Sequence, residues 1–358
     1  MRICLCIDKL SNGGAERVIS TLANQFVLMN HDIFLIETST KKWDCFYQLN
    51  DAIKHIFLLD HLTKNSNINK VKILRKYLKS ISPDVVISFK YQTNINVFLA
   101  NINLGIPHIV SERNNPFSYN IGLSSKLLKR FIFKHSSGCV FQTIDASKYY
   151  FKKTTDKSII IGNPIRLNVS SFPDSLNRNN TILYVGRLEE QKNVKLLIDA
   201  FNNVFSEHRD LMLKIYGSGN LESSLKSYVL SLFCKNNVKF MGTSKTWHED
   251  EKESKLFVLP SNYEGMPNSL MEAMALGIPC VSTDCPIGGP RTLIENGVNG
   301  VLIPCGDVKA LENAMLDLIE NKDKCELIAR QNRNMYKQYS AESIAKQWID
   351  FVEKILRK

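Results

Sequence analysis

No run of apolar residues in this chain approaches the roughly 18 needed to cross a bilayer as a helix, which excludes a membrane-spanning reading. The signature of a secretory signal is missing as well: Met1-Arg2-Ile3-Cys4-Leu5-Cys6-Ile7-Asp8 reads as a first strand with no signal h-region, which predicts a cytoplasmic protein. Nine cysteines are scattered without a Cys-x-x-Cys pair or a histidine at zinc spacing, so they read as free thiols in a reducing compartment rather than a disulfide framework. Neither Gly-x-Gly-x-x-Gly nor a phosphate-binding P-loop occurs, and no Asp-x-Asp motif is present to hold a metal on a diphosphate. Repeats and low-complexity segments are absent too.

What is there is an ordinary globular composition, 44% hydrophobic over 358 residues. That length suits two α/β domains of roughly 150–180 residues each. The net charge of +11 is lopsided: residues 1–170 hold 23 Lys and Arg against 11 Asp and Glu, whereas residues 171–358 hold 23 against 24. Two segments, Asn69 to Lys79 and Ser125 to Lys134, carry apolar residues at helical spacing with cations between them. A basic amphipathic helix can lie on an anionic membrane surface, each cation contributing about 1 kcal/mol. The competing reading is a solvated face over a core stripe. Nucleic acid is not expected as a partner, because no nucleic-acid motif or interleaved aromatics accompany the charge.

Apolar runs alternate with helical patterns along the whole chain. In the first half they are Ile3 to Ile7, Asp32 to Glu37, Val85 to Phe89, His108 to Ser111 and Cys139 to Gln142, with a helix over Ala15 to Met29. A second series runs through Ile182 to Val185, Leu211 to Tyr216, Val238 to Met241, Leu256 to Leu259 and Cys280 to Ser282. Continuous rather than alternating runs predict parallel strands covered on both faces, hence doubly wound sheets. The expected division is residues 1–165 and 181–341 as two Rossmann-like domains, 166–180 as a polar linker, and 342–358 as a helix with an apolar stripe at Ile344, Trp348, Phe351, Val352 and Ile355. Ligands in such sheets bind outside the carboxyl ends of the strands.

The segment Pro260 to Pro279 is the richest in chemistry. It predicts a strand end, a turn through Glu264-Gly265-Met266-Pro267, a helix opening at Asn268 or Ser269, and a stop at Gly277 before Pro279. A helix N-terminus offers unpaired N–H groups and partial positive charge to a phosphate or a sugar oxygen. Glu264 before the helix and Glu272 in its first turns are placed to accept from sugar or ribose hydroxyls. Arg187 and Lys192, spaced Arg-x4-Lys after a strand, suit a diphosphate. Gly13-Gly14 after the first strand permits a close backbone approach to a ligand.

Together these segments closely resemble the retaining glycosyltransferases of the GT-B fold, glycosyltransferase family 4. Glu264 and Glu272 carry the two-glutamate motif. Val185-Gly186-Arg187-Leu188 with Lys192, Tyr216-Gly217-Ser218-Gly219, Ile294 to Gly300, Ser11 to Arg17 and Ser111 to Pro116 extend the likeness over nearly the whole chain. It looks most like bacterial enzymes that add galactose-type or N-acetylhexosamine units to lipid-linked saccharides.

The resemblance implies two Rossmann-like domains facing across a cleft, with the C-terminal helix crossing back to the first domain. It implies a UDP-sugar donor, a lipid-linked saccharide acceptor, attachment to the inner face of the plasma membrane, and no metal cofactor. Its donor contacts map to Gly13, Gly14, Arg187, Lys192, Gly217, Gly242, Glu264, Gly265, Met266, Pro267, Asn268, Ser269, Leu270 and Glu272, with Glu16 and Arg17 beside Gly13 and Gly14 in the same loop. Glu264, Arg187 and Lys192 are the catalytic candidates.

Three departures stand out. Arg113 occupies the place where relatives often carry a histidine, and is assigned to the acceptor side. Thr292 replaces a common glutamate. Asn193 replaces the usual glycine after Lys192 and is expected to alter that turn. His108 falls within a strand and reads as a packed histidine. An epimerase or phosphorylase on the same fold, or a non-catalytic nucleotide-sugar-binding scaffold, are the alternative functions.

Overall fold

A computed structural model describes residues 1–357 apart from 12, 44, 63–65, 114–115, 117–121, 152–154 and 168–177. Most of the stretch expected to be the linker, and Asn12, Asn114 and Asn115 of the motifs above, therefore lie outside the described residues. The chain divides into two compact units, Met1–Pro164 with Tyr339–Lys358, and Ile165–Gln338.

The first unit holds strands β1 (Arg2–Ile7), β2 (Asp32–Glu37), β3 (Lys54–Phe57), β4 (Val85–Phe89), β5 (His108–Ser111), β6 (Gly138–Phe141) and β7 (Ser158–Ile160). They form one parallel sheet in the order β3-β2-β1-β4-β5-β6-β7. Its helices are α1 (Gly14–Leu28), α2 (Asn67–Ile81), α3 (Tyr91–Ala100), α4 (Leu123–His135), α5 (Ile144–Tyr150) and, from the far end of the chain, α13 (Ala341–Leu356). β1 and β4 are apolar and buried along most of their length because both faces are covered, by α1 and α13 on one side and by α2 and α3 on the other.

The second unit holds β8 (Asn179–Val185), β9 (Met212–Tyr216), β10 (Val238–Gly242), β11 (Ser254–Leu259), β12 (Cys280–Thr283) and β13 (Val301–Ile303) in the parallel order β10-β9-β8-β11-β12-β13. Its helices are α6 (Val194–Val204), α7 (Glu222–Leu230), α8 (Trp247–Asp250), α9 (Asn268–Ala275), α10 (Gly289–Leu293), α11 (Val308–Glu320) and α12 (Lys322–Gln338). Each sheet reverses its winding once, between β1 and β4 and between β8 and β11. At such switch points the loops leaving the two strands part in opposite directions and open a crevice.

The strands that the sequence does not announce are β3, β7 and β13, of three or four residues, each at a sheet edge and mostly half-exposed. Short edge strands need little continuous apolar character. Helix starts follow local chemistry: Ser66, Thr143, Asp307 and Ser340 each accept a hydrogen bond from the backbone N–H three residues on.

The two basic helices differ. α2 turns Leu74, Leu78 and Ile81 into the core and its cations outward, so it follows the solvated-face reading. α4 is inverted: Lys129 is buried while Leu123, Leu127, Leu128 and Phe131 are exposed beside Lys126, Arg130 and Lys134. Lys129 is held inside by Glu112, 2.6 Å away, whose carboxylate also accepts from the Tyr150 hydroxyl at 2.5 Å.

Candidate functional site

The switch point of the second sheet carries a dense polar constellation. After β8 the chain makes a short 3-10 turn, Glu190–Lys192, and after β11 it enters the loop 260–267. Four hydrogen bonds stitch these loops together: Asn262 N–H to the Gln191 carbonyl (2.8 Å), Gln191 Nε2 to the Tyr263 carbonyl (2.9 Å), Asn262 Nδ2 to the Glu190 carbonyl (2.9 Å), and Asn193 Nδ2 to Asn262 Oδ1 (3.1 Å). Asn193 does not disturb the turn: it adopts the left-handed conformation (φ 44°, ψ 46°) open to glycine, which asparagine tolerates better than most residues.

This stitching brings Lys192 and Glu264 into a direct ion pair, although 72 residues separate them. Both side chains are largely buried, and Ser261 Oγ donates to the same carboxylate oxygen at 2.7 Å. A buried carboxylate and ammonium stabilise one another only when their remaining hydrogen-bonding groups are satisfied. The serine supplies part of that. Arg187 is different: its side chain is 61% exposed, with Nη1 2.8 Å from Glu189 and Nη2 donating to Gln191 at 3.1 Å. An exposed guanidinium in such a partnership can exchange it for a phosphate at little cost.

Helix α9 opens at Asn268 behind Pro267, and no side chain caps it. Asn268 and Ser269 are half-buried at its mouth, whereas Met266, Leu270 and Glu272 are buried, Glu272 to 3% exposure. The helix ends at Gly277 in the left-handed conformation, as expected. Close backbone packing explains the glycines around it. A Cβ on Gly289 would lie 1.5 Å from the Gly265 carbonyl oxygen, and one on Gly217 would lie 1.8 Å from that of Gly186. Gly217 N–H donates to the Gly242 carbonyl at 2.7 Å, which ties the ends of β9 and β10 together. Thr292 donates to the Gly288 carbonyl of its own helix at 2.7 Å.

The remaining sequence candidates belong to the first unit. Gly13 precedes α1 at the switch point of that sheet; its carbonyl accepts from the Tyr47 hydroxyl at 3.0 Å and from the Arg17 N–H at 3.1 Å. Glu16 is buried and held by Ser11 (2.9 Å) and Lys90 (2.8 Å), and Lys90 also pairs with Asp8 at 2.8 Å. That salt-bridge cluster was not legible in the sequence, because Lys90 arrives from β4.

Arg113, beyond β5, stacks its guanidinium over Phe89 (4.7 Å) and Trp348 (5.3 Å) and donates through Nη1 to Asn163 at 3.0 Å. Its Nε and Nη2 are buried without a hydrogen-bond partner among the described residues. Burial pulls the group down to about 9, opposed by the charge of Glu112, so it stays protonated at neutral pH. His108 is fully buried against Ser88 (2.7 Å), and desolvation lowers it to about 3. It is neutral and packed.

Comparison with known proteins bears on this geometry. Residues 170–343, which contain Arg187, Lys192, Glu264 and α9, match the family of glycosyl transferases group 1. Residues 170–343 belong to that family. The relatives agree. A Campylobacter jejuni α-1,4-N-acetyl-D-galactosaminyltransferase, named for an acceptor saccharide on diphosphoundecaprenol, is 27% identical over 364 residues, covering 99% of each chain. An Escherichia coli UDP-Gal:α-D-GlcNAc-diphosphoundecaprenol α-1,3-galactosyltransferase is 25% identical over 299 residues, 76% of this chain and 77% of the relative. Among solved structures, Anabaena HepE in complex with UDP and glucose superposes with a TM-score of 0.80 at 16% identity, over 99% of each chain. That likeness speaks for the fold alone, and the fold of this glycosyltransferase is GT-B. The enzyme is a transferase.

Proposed function

We propose that this glycosyltransferase moves a hexose or N-acetylhexosamine from a UDP-sugar to a polyprenyl-diphosphate-linked saccharide, with retention at the anomeric carbon. The observation that carries the reading is the cluster of Lys192, Glu264 and Ser261 at the switch point of the second sheet, beside Arg187 and the uncapped N-terminus of α9. Those groups suit a nucleoside diphosphate: two cations and a helix dipole for the phosphates, carboxylates for hydroxyls. UDP and lipid-diphosphate acceptors are in the names of relatives.

In the transfer, the bond between the anomeric carbon and the diphosphate oxygen breaks while the acceptor hydroxyl bonds to the same face of that carbon. The departing diphosphate takes the hydroxyl proton. Negative charge builds on the leaving oxygens, and Arg187, Lys192 and the N–H groups of Asn268 to Leu270 stabilise it. Preorganised donors of this sort are worth about 10²–10³ in rate each. Glu264 keeps Lys192 oriented until the diphosphate shares it, and Gly217, Gly242, Gly265, Met266, Pro267 and Glu272 shape the donor's seat. On the first unit, the nitrogens of Arg113 that have no partner among the described residues serve an acceptor phosphate or sugar. No metal is required to bridge the diphosphate.

A thermal-shift series tests this. UDP and one UDP-sugar, without divalent cations, are expected to raise the midpoint while GDP, ADP and NAD leave it in place, since a ligand of the folded state stabilises by mass action. Equal responses to all the nucleotides, or to none, would sink the proposal.

Membrane contact is assigned to α4. No helix among the described residues is long and apolar enough to cross a membrane, but α4 exposes Leu123, Leu127, Leu128 and Phe131 among cations. A surface-lying helix needs that combination. Leu127→Glu with Phe131→Glu is expected to reduce flotation with phosphatidylglycerol vesicles at least about tenfold, given the lost apolar burial and added like charge. Lys70→Gln with Lys72→Gln in α2 is expected to change it far less. Equal losses from both pairs would show that charge alone governs binding.

A further inference from the structure

Glu37 ends β2 with a carboxylate that is completely buried, and its two oxygens face different company. Oε2 accepts from the Leu10 N–H (3.0 Å), the Thr40 hydroxyl (2.7 Å) and the Trp43 indole N–H (3.1 Å). Among the described residues, Oε1 faces the His55 imidazole, with Nε2 at 2.9 Å, and the Cys45 thiol, with Sγ at 3.6 Å. One atom from each of the three side chains lies within 4.8 Å of the others. One oxygen is thus anchored by three fixed donors, and the other shares its surroundings with the two side-chain types that bind zinc best.

We propose that Glu37, Cys45 and His55 form a zinc site. Tetrahedral zinc sets its nitrogen and oxygen ligands about 3.3 Å apart and its sulfur and oxygen ligands about 3.6 Å apart, from bonds of roughly 2.0–2.3 Å. The observed separations from the carboxylate oxygen are 2.9 and 3.6 Å, and the sulfur and nitrogen lie within 4.8 Å of one another, so closing round the ion asks for side-chain shifts and no refolding. The charges also suit a buried place: a divalent ion with one thiolate, one carboxylate and a neutral imidazole sums to zero. Hydrogen bonds that hold a ligating carboxylate from its far side are what a metal centre uses to orient it. Half-buried His55 and Cys45 leave a route in for the ion and a fourth position for water.

Uptake would release one proton, from the thiol, while the imidazole proton passes to Nδ1. The site would pin the chain between β2 and β3, from which Tyr47 donates to the Gly13 carbonyl at 3.0 Å. Zinc would thereby steady the turn before α1 without touching the transferred sugar. The sequence conceals this trio because its members stand 8 and 10 residues apart on β2, a loop and β3, outside any short metal motif.

The test uses the full chain, stripped with a chelator, desalted and titrated with cobalt and then zinc. One equivalent of cobalt is expected to produce thiolate-to-metal charge-transfer absorption, which zinc abolishes. Cys45→Ser and His55→Ala are expected to weaken uptake at least about tenfold, and Cys305→Ser, which removes an exposed cysteine, to leave it unchanged. In the unaltered protein zinc should also shield Cys45 selectively from alkylation, as read by mass spectrometry, which tests the site even where a variant fails to fold. Absence of the cobalt band, or a band that survives in Cys45→Ser, would overturn the assignment, as would unshielded alkylation of Cys45 at saturating zinc.

Discussion

Lys192→Ala is expected to lower the transfer rate by about 10²–10³, the usual loss when one preorganised donor to a developing negative charge is removed. It is also expected to lower stability, which Arg187→Ala is not. Lys192 and Glu264 are 12% and 7% exposed, and removing one member of such a buried pair leaves the other charge unpaired, at a cost of up to about 3–5 kcal/mol. Glu264→Ala has the same two consequences. A loss of activity in either single variant therefore leaves the chemistry and the folding entangled.

The double variant Lys192→Ala with Glu264→Gln separates them. Glutamine keeps an acceptor for Ser261 Oγ and carries no charge, so most of the lost thermal midpoint should return. The transfer rate should not. Initial rates with the UDP-sugar that passes the thermal-shift series, beside melting curves of all three proteins, decide the matter. A double variant working at a tenth of the parental rate or better would show that the pair only holds the two loops together.

How much of this was legible in the sequence follows from how local each feature is. The central strands announce themselves because burial on both faces demands continuous apolar runs, as in Ile3 to Ile7 and Leu256 to Leu259. The α9 segment is legible because a proline, a run of helix formers and Gly277 fix its limits within a few residues. Features that depend on register were hidden. Lys192 meets Glu264 only because β8 and β11 are neighbours across the winding reversal.

Hydrophobic periodicity misled at α4, where the regular leucines face outward and Lys129 faces in. Period alone marks a stripe, not the side on which it lies. The inward lysine is tolerated because Glu112 waits for it, and nothing in the local pattern reports a partner 17 residues away. Nor does the local pattern report why glycine stands at 289, where a Cβ would meet the Gly265 carbonyl of the protein's own loop.

Trp348→Ala is expected to be the most damaging single substitution in the core of the first unit. Trp348 in α13 is completely buried and stacks on Phe89 of β4 at 5.7 Å, with ring planes 26° apart. Replacing a buried tryptophan by alanine removes its transfer free energy and leaves a cavity, together about 3–5 kcal/mol. For a protein of this size that corresponds to a fall in the thermal midpoint of roughly 6–20 °C, at about 2–4 °C per kcal/mol. Near-ultraviolet circular dichroism during melting reads it directly. A fall below about 2 °C would show that α13 is not packed as described.

The same substitution reaches the proposed acceptor residue. Arg113 rests on the Trp348 and Phe89 rings, and a cation over an aromatic face gains more where water is excluded. Without the indole the guanidinium loses one of the surfaces that fix its direction, so KM for the acceptor should rise before kcat falls. Trp348→Phe keeps an aromatic face and should recover most of both losses. α13 also comes from the last residues of the chain, while β1 and β4 come from its first quarter. The core around Phe89 and Trp348 therefore cannot close until α13 has been made, and residues 1–164 alone should expose the apolar surface that Ile344, Trp348, Phe351 and Val352 otherwise cover.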